Sequence, residues 1–278
     1  MFFSYLCTMV GHVHIMGILN LTEDSFYAGS RVSVADVSAR VRQMLADGAD
    51  TVDLGACSTR PGSAQPPLEE EWSRLEPALL EIAERTEFPG RQSPIISIDT
   101  YRSEIVRRAY EVIGPFMVND ISAGAMDPEM LITVGRLGLP YVAMHMRGTP
   151  QTMQEFTQYS DLVEEIKSYF REFSLKAQDA GIQDWILDPG FGFAKTLEQN
   201  YELLRRLAEL QELDRPILVG VSRKSMIYKL LGITPEEALS ATQVVHFAAL
   251  ERGATWLRVH DVPEAVQTAR LYAQITGN

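Results

Sequence analysis

Cysteine is nearly absent from the 278-residue chain, which carries only Cys7 and Cys57, far apart. Two separated cysteines offer no disulfide framework, and a reducing cytoplasm is the expected setting. Positive charge is also scarce: 25 lysines and arginines stand against 37 acidic residues, for a net charge of -12. A surface of that sign argues against nucleic acid as partner, because phosphate backbones require a basic face. Small anionic substrates remain open, since they need only a few local cations. Long apolar runs are missing as well. The most apolar stretch, "MFFSYLCTMVGHVHIMGILNL", has no basic leading region and is interrupted by Gly11, His12 and His14. It reads as a lead-in followed by a core strand, not as a signal peptide or membrane span. No linker or low-complexity stretch divides the chain, so residues 1–278 are expected to form a single domain.

What the sequence does contain is a repeated alternation. Short apolar runs occur at His14–Leu19, Thr51–Gly55, Pro94–Ile98, Phe116–Val118, Tyr141–Met144, Trp185–Leu187, Pro216–Val221 and Trp256–Val259. Their unbroken hydrophobicity suits parallel strands buried on both faces. Amphipathic helical patterns fill the intervals. Ser33 can cap a helix bearing Val34, Val37, Val41, Met44 and Leu45, which Gly48 would stop. Ser160 opens another, and "TPEE" at Thr234–Glu237 has the spacing of a capping box. Eight βα units in roughly 250 residues predict a (β/α)8 TIM barrel with its active site at the C-terminal strand ends. An open doubly wound sheet fits less well, because no glycine-rich dinucleotide fingerprint follows the first strand.

Those strand ends are where chemistry collects. They carry Asn20, "CSTRPGS" (Cys57–Ser63), Asp99, Asn119-Asp120, His145 with Arg147, and Asp188 with Phe191 and Phe193. "SRKS" (Ser222–Ser225) and "RVHD" (Arg258–Asp261) complete the set. A carboxylate after a strand is often only a helix cap, but polar or ionisable groups at all eight ends point to one site. Asp99, Asp188 and Asn119 suit the hydrogen-bonding edge of a flat polar heterocycle. Arg60, Arg223, Lys224 and Arg258 suit phosphate or carboxylate.

"MGILNLTEDSF", "STRPGS", "ISIDT", "VNDISAG", "DPGFGFAKT", "VGVSRKS" and "RVHDV" occur in that order between residues 14 and 262. Together they resemble the dihydropteroate synthase family, pterin-binding TIM barrels. The resemblance implies condensation of 6-hydroxymethyl-7,8-dihydropterin diphosphate with 4-aminobenzoate, giving 7,8-dihydropteroate and diphosphate. It also implies Mg2+ as cofactor, sulfonamides as inhibitors and a homodimer. By the same resemblance Asp99, Asn119, Asp188, Lys224 and Phe193 meet the pterin, while Asn20, Arg60, Arg258 and His260 meet the diphosphate. Asn20 would lie at the metal. Phe26, Thr59, Pro61, Phe193 and Ser225 meet the aminobenzoate, and Asp99, Lys224 and Arg60 are the catalytic candidates. Three positions depart from the family pattern: Cys57 stands for a glutamate, Glu23 for a proline and Ala194 for a glycine.

Other readings are weaker. A non-catalytic paralogue would keep the pterin pocket without turnover, a possibility raised by Cys57. A pterin-dependent methyltransferase would keep the ring-binding carboxylates but have no use for "STRPG" with "SRKS". His12-Val13-His14 has the H-x-H form that opens metal-dependent amidohydrolases, yet it precedes "IMGILN" and so stands at the wrong end of the first strand. His246, inside a helical segment, is expected to pack rather than react.

Overall fold

The computed structural model describes residues 12–21, 36–57, 65–85 and 96–277. Its strands are β1 (His14–Asn20), β2 (Thr51–Gly55), β3 (Ile96–Asp99), β4 (Met117–Asp120), β5 (Tyr141–Met144), β6 (Trp185–Asp188), β7 (Leu218–Val219) and β8 (Trp256–Val259). The helices are α1 (Val37–Ala46), α2 (Leu68–Arg85), α3 (Ser103–Ile113), α4 (Met130–Leu137), α5 (Leu162–Ala180), α6 (Leu197–Arg205), α7 (Ser225–Leu231), α8 (Leu239–Leu250) and α9 (Val262–Thr276). All strand pairs are parallel, in the order β6-β5-β4-β3-β2-β1-β8-β7. A parallel bridge between Leu187 and Ile217 joins the two edges and closes the barrel. The predicted TIM barrel is the observed one.

Successive side chains along a strand point to opposite faces. One set, Met16, Met117, Val142, Ile186, Leu218 and Trp256, meets inside the barrel as a separate apolar cluster. The other, including Val52, Ile98, Val118, Leu187, Val219 and Leu257, joins the inner faces of the helices in the main core. Burial on both faces explains why the strands read as continuous apolar runs.

Several boundaries differ from the sequence reading, for physical reasons. β3, β4 and β6 run one or two residues further, taking in Asp99, Asn119-Asp120 and Asp188. The ladder continues through these polar residues because Asp99, Asn119 and Asp188 face the barrel mouth, while Asp120, on the opposite face, accepts from the Tyr141 hydroxyl, Ser122 and the Gly124 N–H. Pro94 lies outside the described residues. β7 is only Leu218–Val219, shorter than Pro216–Val221. The cap of α5 is Asp161, not Ser160; its carboxylate accepts from the backbone N–H groups of Val163 and Glu164. Thr234 and Glu237 do bond reciprocally. They frame a short 3-10 turn at Glu236–Ala238, and α8 starts only at Leu239. Ser33 lies outside the described residues.

Candidate active site

Two residues beyond the apolar floor, on the same inward register, the side chains change character. Met117 is followed by Asn119, Ile186 by Asp188 and Trp256 by Arg258. Arg258 is the hub. Its Nε donates to Asp53 Oδ2 at 2.7 Å and a terminal nitrogen to Asp99 Oδ2 at 2.9 Å. Asn119 Nδ2 donates to the same Asp53 oxygen at 2.9 Å. Four residues from β2, β3, β4 and β8 thus form one buried network. Asp53 Oδ1 is buried with no hydrogen-bond partner among the described residues.

Burial with several carboxylates nearby shapes the electrostatics. Asp99 is pushed up to about 7, first by desolvation, while Arg258 pulls against it and Asp53, Glu71 and Asp120 push further. It is no helix cap: the N–H of Ser103 at the start of α3 donates instead to Asp127 Oδ2, at 2.7 Å. Asp188 is likewise raised, with desolvation opposed by Lys224 and by the Gly190 N–H, which donates to its Oδ1 at 2.8 Å. Lys224 falls to about 8 through burial, although Asp188 draws it upward. Its ammonium donates to Phe191 O at 2.5 Å and stands 4.6 Å over the Phe193 ring.

The "DPGFGFAK" turn is built around Lys195. The Nζ of Lys195 donates to the carbonyls of Gly190 (3.0 Å) and Phe193 (3.1 Å) and lies 3.1 Å from His145 Nδ1. Enclosure without a carboxylate in contact lowers Lys195 to about 7, desolvation leading. Gly190 has φ +71°, and a Cβ there would sit 2.1 Å from the His145 carbonyl oxygen, so no side chain fits. The Tyr159 hydroxyl donates to Ala194 O at 2.9 Å, and Asn200 Oδ1 accepts from Gly192 N–H at 2.6 Å. The turn is thereby fixed from four sides.

Asn20 ends β1 beside Gly55. A Cβ at Gly55 would lie 3.3 Å from Asn20 Oδ1 and 3.8 Å from Asp99 Oδ2, so the three residues share one corner of the mouth. His260, on the loop after β8, is lowered to about 3 by burial and by Arg258, Arg223 and Lys224, and is neutral at physiological pH. Its N–H donates to Ser222 Oγ at 3.2 Å. Ser225 is half-buried at the start of α7. Phe26, Thr59, Arg60 and Pro61 lie outside the described residues.

Some expectations are revised by the geometry. Arg223 is not available to a substrate anion. Its guanidinium is buried against both oxygens of Asp261 and the carbonyls of Pro235 and Glu236, where it ties the β7 and β8 loops together. Arg147 pairs with Glu165 and stacks on Tyr159. Cys57 packs as expected of a small residue. Burial and the neighbouring Glu71 push its thiol far up, so it stays protonated. Glu71 is fully buried in α2, accepts from Thr100 Oγ1 at 2.6 Å and pairs with Arg102. Its carboxylate lies beside the Cys57 thiol. His246 packs inside α8 and is lowered to about 4 by burial. Asp53 and Lys195 were missed as site residues. Asp53 could have been found as a lone charge inside an apolar strand, and Lys195 by its place in "DPGFGFAK".

The profile of the pterin binding enzyme family matches residues 16–260. A dihydropteroate synthase of Escherichia coli strain K12 is 42% identical over 265 residues, which is 94% of this chain and 91% of that protein. The chain belongs to the dihydropteroate synthase family. Solved structures agree. The Yersinia pestis dihydropteroate synthase in a sulfonamide drug complex superposes with a TM-score of 0.87 at 33% identity, covering 96% of this chain and 94% of that one. The Thermus thermophilus dihydropteroate synthase in complex with 4-aminobenzoate gives 0.82 at 37% identity, covering 95% of each.

Proposed function

We infer that this chain, acting as one catalytic domain, joins 4-aminobenzoate to 6-hydroxymethyl-7,8-dihydropterin diphosphate, forming 7,8-dihydropteroate and releasing diphosphate. The observation that carries the reading is the convergence of Asp99, Asn119, Asp188 and Lys224 on one buried mouth, with Arg258 beside them. A pterin presents adjacent N–H donors on its amino-pyrimidinone edge, and Asp188 is the natural bidentate acceptor for them. Asn119 addresses the same ring from another strand, and Lys224 donates to its carbonyl. Phe193 offers a face to the aminobenzoate ring, and Ser225 a hydroxyl to its carboxylate.

An aniline nitrogen is a weak nucleophile, whereas bound diphosphate is a good leaving group. The C–O bond therefore breaks first, its electron pair leaving with diphosphate. The cation left at the methylene spreads through the pterin to N8, and the amine then attacks the methylene and loses a proton. Asp99, placed at the ring N8–H, stabilises that cation; Arg258, His260 and Arg60 hold the diphosphate. The residues fit a Mg2+ ion in chemical type, since Asn20 Oδ1 and the Asp99 carboxylate are hard oxygen donors in one corner. When bound there, Mg2+ neutralises diphosphate charge. Phe26, Thr59 and Pro61 keep their aminobenzoate assignment on the strength of the motifs that contain them.

A homodimer and a cytoplasmic setting complete the proposal. Leu230 and Leu231 on α7, Val244 on α8, and Leu271 and Ile275 on α9 are apolar and each more than half exposed. Adjacent helices bearing such residues form the kind of patch a second copy would cover. Among the described residues no helix is long and apolar enough to cross a membrane. The deciding experiment is diphosphate release from the pterin diphosphate, with and without 4-aminobenzoate. Release that depends on 4-aminobenzoate is expected. A folded, pterin-binding sample that releases none would instead be a non-catalytic paralogue.

A further inference from the structure

The H-x-H segment finds a third partner at the opposite end of the barrel. His12 and His14 stand two residues apart on extended chain, so their side chains leave the same face. Asp50, immediately before β2, is held against β1 by two bonds. Its N–H donates to Ile15 O at 2.8 Å, and its Oδ2 accepts from Ile15 N–H at 2.8 Å. One ligand atom from each of His12, His14 and Asp50 lies within 4.8 Å of the others.

We propose that His12, His14 and Asp50 form a binding site for a divalent transition metal of the Zn2+ class, at the N-terminal end of the barrel and remote from the catalytic mouth. The spacing suits it. Tetrahedral bonds of about 2.0–2.2 Å place ligand atoms roughly 3.3–3.6 Å apart, and His12 Nε2 already lies 3.3 Å from Asp50 Oδ1. Only the third ligand has to close in, and the exposed His12 side chain is free to adjust. The His14 ring is oriented by stacking on Trp256, with centroids 4.4 Å apart and an interplanar angle of 13°. Its nitrogens make no hydrogen bond to a described residue.

The donor set discriminates against the metal of the mouth. Two imidazoles and one carboxylate select zinc, nickel or copper over Mg2+, which prefers oxygen. Six residue steps along β1 lead from His14 to Asn20, about 20 Å at 3.3 Å per step. The two sites are therefore independent. A bound ion would join the start of β1 to the start of β2, leaving a fourth position to water.

The test titrates Zn2+ into the chelator-treated full chain by calorimetry. One site per chain is expected, weakened at least about 100-fold in His12→Ala and in Asp50→Asn, since each removes a direct ligand. Asp50→Asn keeps an oxygen for the Ile15 N–H, and circular dichroism verifies that both variants are folded. As a second reading, Cu2+ should quench the fluorescence of Trp256 through the stacked His14. That quench should vanish in Trp256→Phe while Zn2+ binding persists. Amine-dependent diphosphate release should be unchanged in His12→Ala, so the result stands apart from the catalytic assignment. Absence of stoichiometric Zn2+ binding, or wild-type affinity in the two folded ligand variants, would overturn the proposal.

Discussion

The floor and the mouth of this barrel are made by the same strands and obey opposite rules. At the floor, Met16, Met117, Val142, Ile186, Leu218 and Trp256 fill the interior without charge. At the mouth, two residues along, Asp53, Asp99, Asn119 and Arg258 are packed into a shared network in which Asp53 Oδ1 has no partner among the described residues. Backbone strain gathers mostly, not wholly, at the mouth. Of the four non-glycine residues with left-handed backbone among the described residues, Ala123, Ala194 and Arg223, with φ of 48°, 49° and 52°, follow β4, β6 and β7, and Asp214, with φ of 50°, precedes β7. Non-glycine residues persist in that region only where surrounding structure imposes it. The difference teaches that stability and function are separated along each strand by about one pleat.

A pair of substitutions tests that separation most severely. Asp99→Asn keeps the shape and removes the charge. If the carboxylate meets a developing cation, kcat should fall by roughly 10²-fold or more, with pterin affinity changing much less. Stability should hold. Because the folded carboxyl is raised to about 7, its contribution is fully present below about pH 4 and is lost as pH rises through 7. At pH 7.5 that contribution is already gone. Ile186→Ala, at the floor, should do the converse: destabilise by about 2–5 kcal/mol while kcat per folded molecule is kept. Melting and kcat measured on both proteins decide it, and an unstable Asp99→Asn with normal kcat would break the comparison.

How much of this was legible in the sequence follows from the same geometry. Eight strands could be counted because both faces are apolar, and the mouth could be located because polarity recurs at each strand end. Their ends were misjudged because Asp99, Asn119 and Asp188 look like terminators, whereas the ladder runs through them. Asp53 stands out as a lone charge inside an apolar strand, but no spacing rule shows that it meets Arg258, or that Arg223 faces Asp261, 38 residues away. Asp161 supplanted Ser160 because both are capping residues in adjacent positions, and only the backbone angles choose between them. Tertiary pairing, not local pattern, decided each of these.

Lys195 offers a subtler test, since it is a floor-like buried residue serving the mouth. It touches no reacting atom in the proposed mechanism and is a positioning residue for the pterin turn. Folded Lys195 loses its proton near pH 7, whereas the unfolded side chain keeps it to about 10.5. Between those values the unfolded state binds more protons, so stability should rise with pH. Lys195→Met removes this slope, and the stability of wild type relative to the variant should therefore grow from pH 7 to pH 10. The variant should also raise KM for the pterin substrate more than it lowers kcat, because the turn bearing Asp188 loosens. Parallel stability curves would show that the buried amine is not perturbed.

The smallest effect is expected where the sequence departs from its family inside the strained turn. Ala194 has φ +49° and is fully buried, in a position where the family pattern has glycine. Two effects oppose each other in Ala194→Gly. The left-handed conformation disfavours a residue with a Cβ by about 1–2 kcal/mol, and glycine removes that strain. Against it stand about 0.8 kcal/mol for a buried methyl and about 0.5–1 kcal/mol for the extra freedom of glycine in the unfolded chain. These nearly cancel, so the net change should stay within about 1 kcal/mol, a shift of roughly 2–4 °C in Tm at most for a domain of this size. The bond from the Tyr159 hydroxyl to the carbonyl of residue 194 involves no side-chain atom of that residue and should survive. Pterin affinity should therefore be unaltered. A large stabilisation would mean that the mouth stores strain the floor does not, whereas a loss of several kcal/mol would mean that the Ala194 methyl belongs to the core after all.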